Sequence, residues 1–361
     1  MAIQRITIDD FIQQAVDLPV FDVRSPGEFK HARYPGAYSL PLFTDEERAV
    51  VGTLYKQRGK QKAIKAGLDY FGGRMRSMVE QVEAVLKERN QSKPGTGDEK
   101  PAVIVHCWRG GMRSAGVAWL LDLYGFQVFT LVGGYKAFRK WVLQRFEQSY
   151  SCRILGGYTG SGKTAVLKAL AQQKQPVIDL EALAHHKGSA FGAFGEPEQP
   201  TQEQFENLLA LQLEANRTTG FWLEDESQRI GKLNIPHPFW RCMRQAPVFF
   251  LDIPFEERLK HIVQEYSGHE KERYVNAIIR IQKRLGPNET KTAIHFLLDD
   301  DYASCFRILL NYYDKTYVKG LHNRDNIQTQ LTVVPGNNTN TTTNLENLLQ
   351  CLEKNTASLS S

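Results

Sequence analysis

The chain has 361 residues, 42% of them apolar, which is enough sequence to bury the cores of two domains of ordinary size. The first residues lack the apolar core of a signal peptide, and no run of about 18 apolar residues indicates a membrane span. A net charge of +5 is compatible with a polyanionic partner without identifying one. We therefore expect a soluble cytoplasmic protein without membrane association.

The cysteines exclude two further classes of structure. They are odd in number and scattered, and they show neither CxxC spacing nor histidines at metal-ligand intervals. A disulfide framework and a zinc site are therefore not expected. The cysteines are Cys107, Cys152, Cys242, Cys305 and Cys351.

The first part of the chain alternates between strand and helix patterns. Residues 20–29 are typical of a short buried strand that ends in a charged turn, and the apolar run 102–107 predicts a second strand. Residues 114–126 show helical spacing, and 127–146 read as strand, glycine turn and helix. This alternation predicts a parallel α/β unit, in which ligands bind at the carboxyl ends of the strands.

A second α/β unit follows. A fresh strand pattern begins at residue 152, and strand-like runs recur at 176–180, 220–225 and 246–254. The polar stretch 90–100 is predicted to be a surface loop inside the first unit. We expect domains at 1–140 and 141–330, followed by a low-complexity, partly disordered tail at 331–361 with one short helix.

The segment from His106 to Ser114 has the pattern H-C-x5-R-S. Backbone N–H groups of a loop between strand and helix can converge on an oxyanion, and glycines allow the tight wrap that this requires. The candidate anion-binding residues are Arg109, Gly110, Gly111, Arg113 and Ser114. A helix N-terminus and Arg113 are expected to lower the pKa of Cys107 and make it a thiolate nucleophile, although most lone buried cysteines are inert.

A second anion site is predicted at the pattern G-x-x-x-x-G-K-T. It lies between a strand-like and a helix-like segment, which is the context that gives this P-loop motif its meaning. The candidate residues are Gly157, Gly160, Gly162, Lys163 and Thr164. They would hold a di- or polyphosphate, with Thr164 as a candidate Mg²⁺ ligand, but the motif does not distinguish ATP or GTP from another diphosphate.

Acidic partners of the P-loop are expected at the end of the run 221–227. Glu224 and Asp225 are preferred there over Asp252, although each could simply be a charged strand end. By analogy with small P-loop kinases, Asp179 and Glu181 occupy the place of an acceptor substrate. No metal ligand is assigned with certainty.

The stretch from Arg229 to Arg284 is basic, with eleven Lys/Arg against six Asp/Glu and with aromatic residues interleaved. Such a stretch is either a solvated helix face or a surface for nucleic acid. The candidate RNA-contacting residues are Arg241, Arg244, Arg280, Lys283 and Arg284.

Residues 22–41, DVRSPGEFKHARYPGAYSLP, together with the cysteine loop resemble the rhodanese family. That resemblance implies a rhodanese-like parallel-sheet domain in which Arg24 and Glu28 form a buried structural pair. Rhodanese loops commonly span six residues from cysteine to arginine, whereas this loop spans seven. The added width is similar to that of phosphatases built on this fold, and it would suit a donor that bears a phosphoryl group.

The whole combination, which includes the connecting segments 41–68 and 130–142, resembles the tRNA 2-selenouridine synthase family over roughly residues 8–320. The resemblance implies a rhodanese-like domain followed by a P-loop NTPase-like domain. It also implies replacement of sulfur by selenium in wobble 2-thiouridine of tRNA, with selenophosphate as donor and geranyl diphosphate as a second substrate that gives an S-geranyl intermediate. No tightly bound cofactor is implied, and the selenophosphate-producing enzyme is a further expected partner.

On this interpretation the loop of Cys107 holds selenophosphate, and the P-loop holds the diphosphate of the geranyl donor. Residues 190–195 and 237–240 are candidates for contact with the geranyl chain, although a core or loop role explains each of them as well. Two alternatives stay open. One is a rhodanese-fold cysteine phosphatase with an appended nucleotide-binding domain, although the loop contains no acid. The other is an RNA-binding adaptor, which would not need an intact cysteine and P-loop.

Overall fold

The computed structural model describes residues 3–91, 100–189, 191–266 and 270–359. The chain divides into two compact units, Met1–Arg145 with Glu206–Leu208, and Phe146–Phe205 with Leu209–Ser361. Each described unit contains a parallel sheet flanked by helices, which confirms the predicted α/β class. The expected boundary at 140/141 falls inside a helix, and the division lies five residues further on, after Arg145.

The first unit is built on a five-stranded parallel sheet. Its strands are β1 (Gln4–Ile6), β2 (Val20–Asp22), β3 (Tyr38–Ser39), β4 (Ala102–His106) and β5 (Gln127–Leu131). They lie in the order β1-β5-β4-β2-β3. Its helices are α1 (Ile8–Gln14), α2 (Pro26–His31), α3 (Asp45–Arg58), α4 (Lys60–Gly72), α5 (Met75–Gln91), α6 (Met112–Tyr124) and α7 (Gly134–Phe146).

Strand β4 occupies the middle of this sheet, and its sequence explains why. Val103, Ile104 and Val105 are fully buried, as expected of a parallel strand covered on both faces. The chain then turns into α6, which ends at Gly125 with a left-handed φ of 116°. Cys107 therefore lies at the carboxyl end of a central strand, where parallel sheets place their ligand sites.

The second unit is built on a four-stranded parallel sheet with a separate small hairpin. Its strands are β6 (Cys152–Gly157), β7 (Phe221–Glu224), β8 (Arg229–Ile230), β9 (Leu233–Asn234), β10 (Val248–Asp252) and β11 (Leu331–Pro335). The sheet order is β11-β10-β6-β7, and β8 and β9 form the antiparallel hairpin. The predicted strand at 176–180 forms only an isolated bridge between Val177 and Trp222.

Among the described residues, one hydrophobic cluster of the second unit packs the helices Lys163–Gln172 and Thr341–Leu359 on the sheet. Another joins the helices from Phe255–Tyr266 to Tyr302–His322. The helices are α8 (Lys163–Gln172), α9 (Leu180–Ala184), α10 (Gln202–Ala215), α11 (His237–Gln245), α12 (Phe255–Tyr266), α13 (Lys271–Leu285), α14 (Pro287–Leu298), α15 (Tyr302–His322), α16 (Ile327–Gln330) and α17 (Thr341–Leu359).

The expectation of a partly disordered tail is wrong for residues 331–359. Strand β11 pairs with β10 along five residues, and Leu345 and Leu348 of α17 are buried in the core beneath the sheet. The Asn/Thr-rich stretch supplies local hydrogen bonds, such as that from Asn344 Nδ2 to the Asn338 carbonyl at 2.9 Å. Low complexity here marks a tight connection between β11 and α17 rather than disorder.

Some expectations fall on residues that the structure does not describe. Residues 92–99 of the predicted loop at 90–100 lie outside the described residues, as do Ala190 of the stretch 190–195 and the last two residues of the tail. Within the described ranges, no helix is both long and apolar enough to cross a membrane.

Candidate active site

The cysteine loop connects β4 to α6 and surrounds a buried sulfur. Cys107 is 3% exposed, and its Sγ lies 3.3 Å from Oγ of Ser114 in the first turn of α6. The Ser114 hydroxyl is also 3.1 Å from the Gly111 carbonyl oxygen. Ser114 thus links the sulfur to the far side of the loop.

The loop favours the thiolate form of Cys107. Burial alone would raise the pKa of the thiol, but hydrogen bonds from the Ser114 hydroxyl and from backbone N–H groups outweigh it and hold the pKa below its usual value. The backbone donors are Ser114, Gly111 and Arg109. This geometry is consistent with the expected nucleophilic thiolate. The side chain of Arg109 is exposed to solvent, and its backbone N–H donates a hydrogen bond to the sulfur.

The cysteine loop packs so closely against the turn that follows β5 that one of its predicted glycines is required. Gly110 has a φ of +63°, and a Cβ added there would lie 2.6 Å from the Leu131 carbonyl oxygen. Gly134, which sequence reasoning did not single out, faces the Cys107 carbonyl so closely that any side chain would clash. An added Cβ at Gly111 meets open space, so the loop needs only the first of its two glycines for steric reasons.

Contrary to expectation, Arg113 is not a main cause of the lowered pKa of Cys107. Its guanidinium donates to Glu28 Oε2 at 3.0 Å, and the groups that lower this pKa most are Ser114 and the backbone N–H groups of Gly111 and Arg109. The expected buried pair of Arg24 and Glu28 is also wrong. Arg24 pairs with Asp22 at 2.6 Å instead, because the two side chains leave the end of β2 together. Glu28 instead accepts the hydrogen bond from Arg113 of the cysteine loop.

His106 lies directly before Cys107 and is buried. Burial lowers the pKa of the imidazole, although Asp22 opposes this from 3.8 Å, so His106 is neutral at physiological pH. Neither ring nitrogen has a hydrogen-bond partner among the described residues. His106 therefore fills the space beneath the loop and places no charge next to the sulfur.

The P-loop of the second unit follows β6 and leads into α8. Lys163 Nζ donates to the carbonyl oxygens of Gly157 and Tyr158 at 3.0 and 3.3 Å, and it lies 3.4 Å from Glu224 Oε1. Gly160 and Gly162 both have a φ of +80°, which requires glycine. These residues form the cradle that the motif predicts.

The two expected acidic partners have different surroundings. Glu224, at the end of β7, accepts a hydrogen bond from the Thr164 hydroxyl at 3.1 Å, which is the contact expected of the acidic partner of a P-loop. Asp225 contacts neither Lys163 nor Thr164 in the described structure. It accepts hydrogen bonds from Tyr317 and Arg324, because neighbouring residues at a strand end point in opposite directions.

Three carboxylates gather beside the P-loop. One oxygen each of Glu181, Glu224 and Glu226 lies within 4.8 Å of the others, which is a spacing that can hold a divalent cation. Burial and the charge of Glu224 raise the pKa of Glu181 to about 8, and the same two causes raise the pKa of Glu226. Asp179 lies outside this group and caps α9 through the Ala182 N–H.

Four of the five candidate RNA-contacting residues are exposed to solvent. Arg241 is on α11, and Arg280, Lys283 and Arg284 are on α13. Arg244 is half-buried instead and donates to the Gly320 carbonyl at 2.8 Å. It therefore has a structural partner within the second unit.

The aromatic candidates for a geranyl contact lie mainly in cores. Phe191 and Phe194 pack against Tyr274 with ring centroids 6.0 and 5.3 Å apart, and Phe239 is fully buried. Trp240 of the same stretch is half-buried. The core explanation accounts for the three phenylalanines.

Comparison with known proteins identifies both units. Residues 7–140 match the family model of the rhodanese-like domain, and residues 150–348 match that of the tRNA 2-selenouridine synthase AAA domain. The chain is 34% identical to the tRNA 2-selenouridine synthase of Aeromonas salmonicida (strain A449), over 85% of this chain and 88% of that protein. It is 36% identical to that of Sulfurovum sp. (strain NBC37-1), over 83% and 87%. The chain belongs to the tRNA 2-selenouridine synthase family.

Proposed function

We propose that this enzyme replaces the sulfur of wobble 2-thiouridine in tRNA by selenium, with selenophosphate as the selenium donor. The observation that carries the proposal is the presence in one chain of two strand-to-helix loops with anion-binding motifs, each at the carboxyl end of a parallel strand. One contains a buried cysteine with a lowered pKa, and the other is a P-loop with an acidic partner. Two phosphorylated reagents would account for both.

The first step is proposed to be geranylation of the tRNA. The thiocarbonyl sulfur attacks C1 of geranyl diphosphate, the C–O bond breaks and inorganic diphosphate leaves. The base loses its N3 proton to solvent as the neutral S-geranyl intermediate forms. Lys163 and the loop amides would hold the departing diphosphate. Thr164 and Glu224 are the proposed Mg²⁺ ligands, and the ion would neutralise charge that develops on the leaving group.

The second step is proposed to occur at the cysteine loop. Selenium from selenophosphate adds to C2 of the S-geranyl base, N3 takes up a proton, and the C2–S bond breaks so that geranylthiol leaves. Cleavage of the P–Se bond by water then releases phosphate. Alkylation matters because the sulfur of a thiocarbonyl is a poor leaving group, whereas its alkylated form departs as a thiol. The backbone N–H groups that favour the Cys107 thiolate would also bind the phosphoryl oxygens of selenophosphate.

The substrate tRNA is proposed to contact the exposed basic residues of α11 and α13. Phosphate neutralisation by lysine and arginine supplies most of the affinity in such complexes and makes it dependent on salt. The enzyme that produces selenophosphate is a further proposed partner. The candidates for tRNA contact are Arg241, Arg280, Lys283 and Arg284.

One experiment tests the division of work between the two loops. The protein is incubated with 2-thiouridine tRNA, geranyl diphosphate and selenophosphate, and the digested nucleosides are weighed by mass spectrometry. Wild type should yield 2-selenouridine, Cys107→Ala should accumulate the S-geranyl nucleoside, and Lys163→Ala should yield neither. Lys168→Ala, at an exposed position of the same helix α8, is the matched control and should behave as wild type.

Normal geranylation by Lys163→Ala would show that the P-loop does not hold the geranyl donor. Absence of both products from wild type would favour the alternative, a rhodanese-fold cysteine phosphatase, for which the seven-residue loop and the lowered pKa of Cys107 are the supporting observations. Phosphate release from an aryl phosphate would then be the assay. The loop itself offers no general acid for that reaction.

A further inference from the structure

A pocket of about 390 Å³ lies beside the cysteine loop of the first unit. Trp108, the residue after Cys107, forms part of its wall, together with Arg24, Gly27, Glu28, His31, Asp45 and Arg48. The Asp45 carboxylate is engaged by the Gly27 N–H at 2.9 Å. Its volume falls in the range of roughly 300–1,000 Å³ that is usual for small-molecule sites. The two-step chemistry above does not yet assign it a ligand.

Trp108 offers a fixed aromatic surface to this pocket. Its ring centroid lies 5.6 Å from that of Tyr135, and the Arg24 guanidinium is 5.9 Å from the same indole. Arg24 is itself held by its ion pair with Asp22 and lies 3.7 Å from the Tyr135 ring. The half-buried indole is thus held by buried neighbours, and it lines the pocket. Unstacked RNA bases bind to such surfaces by stacking.

The polar groups of the pocket complement a pyrimidine base. The ring N3–H needs an acceptor, and Glu28 supplies a carboxylate that Arg113 and the Ser25 N–H hold in place at 3.0 and 3.1 Å. The charge of Arg113 and the Ser25 N–H keep the pKa of Glu28 below its usual value even though burial opposes them, so the acceptor is ionised. Arg48 and His31 are exposed at the rim, where the phosphates of a bound RNA loop would lie.

We propose that this pocket holds the target pyrimidine of a single-stranded RNA loop, with Trp108 stacked on the base and Arg48 at a flanking phosphate. Glu28 then accepts a hydrogen bond from the base N3–H. The inference rests on the proposed function, because it takes RNA as the substrate. It deepens that function by naming where the base lies beside the cysteine loop when it carries N3–H, which is as 2-thiouridine before alkylation and as 2-selenouridine after the exchange. Glu28 is next to that loop because it accepts a hydrogen bond from Arg113.

The test is binding of a fluorescent anticodon stem-loop with 2-thiouridine at the wobble position, measured by anisotropy on the full chain. Loss of stacking costs about 1–3 kcal/mol per base, so Trp108→Ala should weaken binding roughly 5- to 150-fold. Trp108→Phe should bind within about threefold of wild type, because it keeps an aromatic face. The matched control is Trp119→Ala, which removes a 51% exposed tryptophan from α6 outside the pocket and should bind as wild type.

Two further measurements separate base binding from a structural role. Arg48→Ala should reduce the slope of log affinity against log salt by about 0.7, the value for one phosphate contact on a single strand. Protection of Cys107 from iodoacetamide by inorganic phosphate reports on the anion loop alone. It should be equal in wild type and in each variant.

Equal binding by wild type and Trp108→Ala would overturn the inference. So would loss of phosphate protection in Trp108→Phe, because Trp108 would then act by shaping the loop. Failure of the proposed function looks different, since wild type would then make no 2-selenouridine in the nucleoside assay. If wild type makes 2-selenouridine and Trp108→Ala binds and reacts equally well, the proposed base-binding role of the pocket is wrong and the proposed function stands.

Discussion

The hydroxyl of Tyr317 lies 3.1 Å from the backbone nitrogen of Gly157, the first glycine of the P-loop, and accepts its hydrogen bond. The same hydroxyl donates to Asp225 at 2.8 Å. Burial and the negative charge of Asp225 raise the pKa of Tyr317, so the phenol keeps its proton and can donate. Helix α15 thereby fixes the end of β6, where the phosphate cradle begins.

Tyr317→Phe should loosen this cradle. The Gly157 N–H loses its acceptor and Asp225 loses a donor, so we expect a loss of about 1–3 kcal/mol in the free energy of unfolding. For a unit of this size that corresponds to roughly 2–4 °C in Tm per kcal/mol, measurable by differential scanning fluorimetry. Inorganic pyrophosphate should also bind several-fold more weakly. Tyr312→Phe on the same helix is the control, and an equal effect there would show that the link to Gly157 is unimportant.

Asp225→Asn should destabilise the second unit more strongly than Tyr317→Phe. Arg324 is buried at 1% side-chain exposure and pairs with Asp225, so the variant leaves an uncompensated guanidinium. Breaking a buried pair from one side costs about 3–5 kcal/mol. Urea unfolding followed by circular dichroism measures this, with the exposed Asp252→Asn as the control. A change below about 1 kcal/mol would mean that the pair is not buried in solution.

Ser114→Ala should shift the reactivity of Cys107 toward higher pH. The Ser114 hydroxyl favours the thiolate, and a hydrogen bond to a charged group contributes about 1.5–3 kcal/mol, so thiolate reactivity at neutral pH should fall about tenfold or more. The measurement is the rate of iodoacetamide alkylation of the Cys107 peptide against pH, followed by mass spectrometry.

Arg113→Gln is the informative comparison for this experiment. Because Arg113 is engaged by Glu28, its removal should move the alkylation midpoint less than Ser114→Ala does. A larger shift with Arg113→Gln would restore the idea, drawn from the sequence pattern, that the loop arginine sets the pKa of Cys107.

Glu224→Gln should weaken the joint binding of Mg²⁺ and inorganic pyrophosphate at the P-loop. Glu224 touches both Thr164 and Lys163, and loss of one carboxylate charge from such a site is expected to cost about 10- to 100-fold in affinity. The rise in Tm on addition of both ligands should therefore shrink, and chelation of Mg²⁺ should abolish it in wild type. Glu272→Gln, at an exposed position of α13, should keep the full rise.

The elements that position both loops were predictable because their signals are local. The run of apolar residues in β4, the glycine that ends α6, and the spacing from Gly157 to Thr164 all lie within short windows. The two parallel sheets follow from the same alternation. Glu224 was also predictable, since an acid at the end of a neighbouring strand is in register with the loop.

The pairings of charged residues could not be predicted in the same way. Arg24 was expected to pair with Glu28, and it pairs with Asp22; Asp225 was expected at the phosphate site, and it faces Arg324, 99 residues further along the chain. Spacing in sequence does not determine which of several nearby carboxylates a guanidinium meets. That choice depends on the direction of each side chain at the strand end.

The tail gives the last prediction, because sequence composition and structure disagree there. Leu348 of α17 is fully buried against the sheet, whereas a disordered tail would leave it in water. Leu348→Ala should therefore cost about 2–5 kcal/mol in the free energy of unfolding. The control is Leu298→Ala, at the end of α14, where the leucine is 55% exposed and the expected change is within about 0.5 kcal/mol. Urea unfolding of the two variants compares them directly, and equal stability would mean that α17 does not pack on the sheet in solution. If only Leu348→Ala loses much free energy of unfolding, the Asn/Thr-rich connection leads into a packed helix. Truncation of a leucine leaves a destabilising cavity only where the side chain is buried.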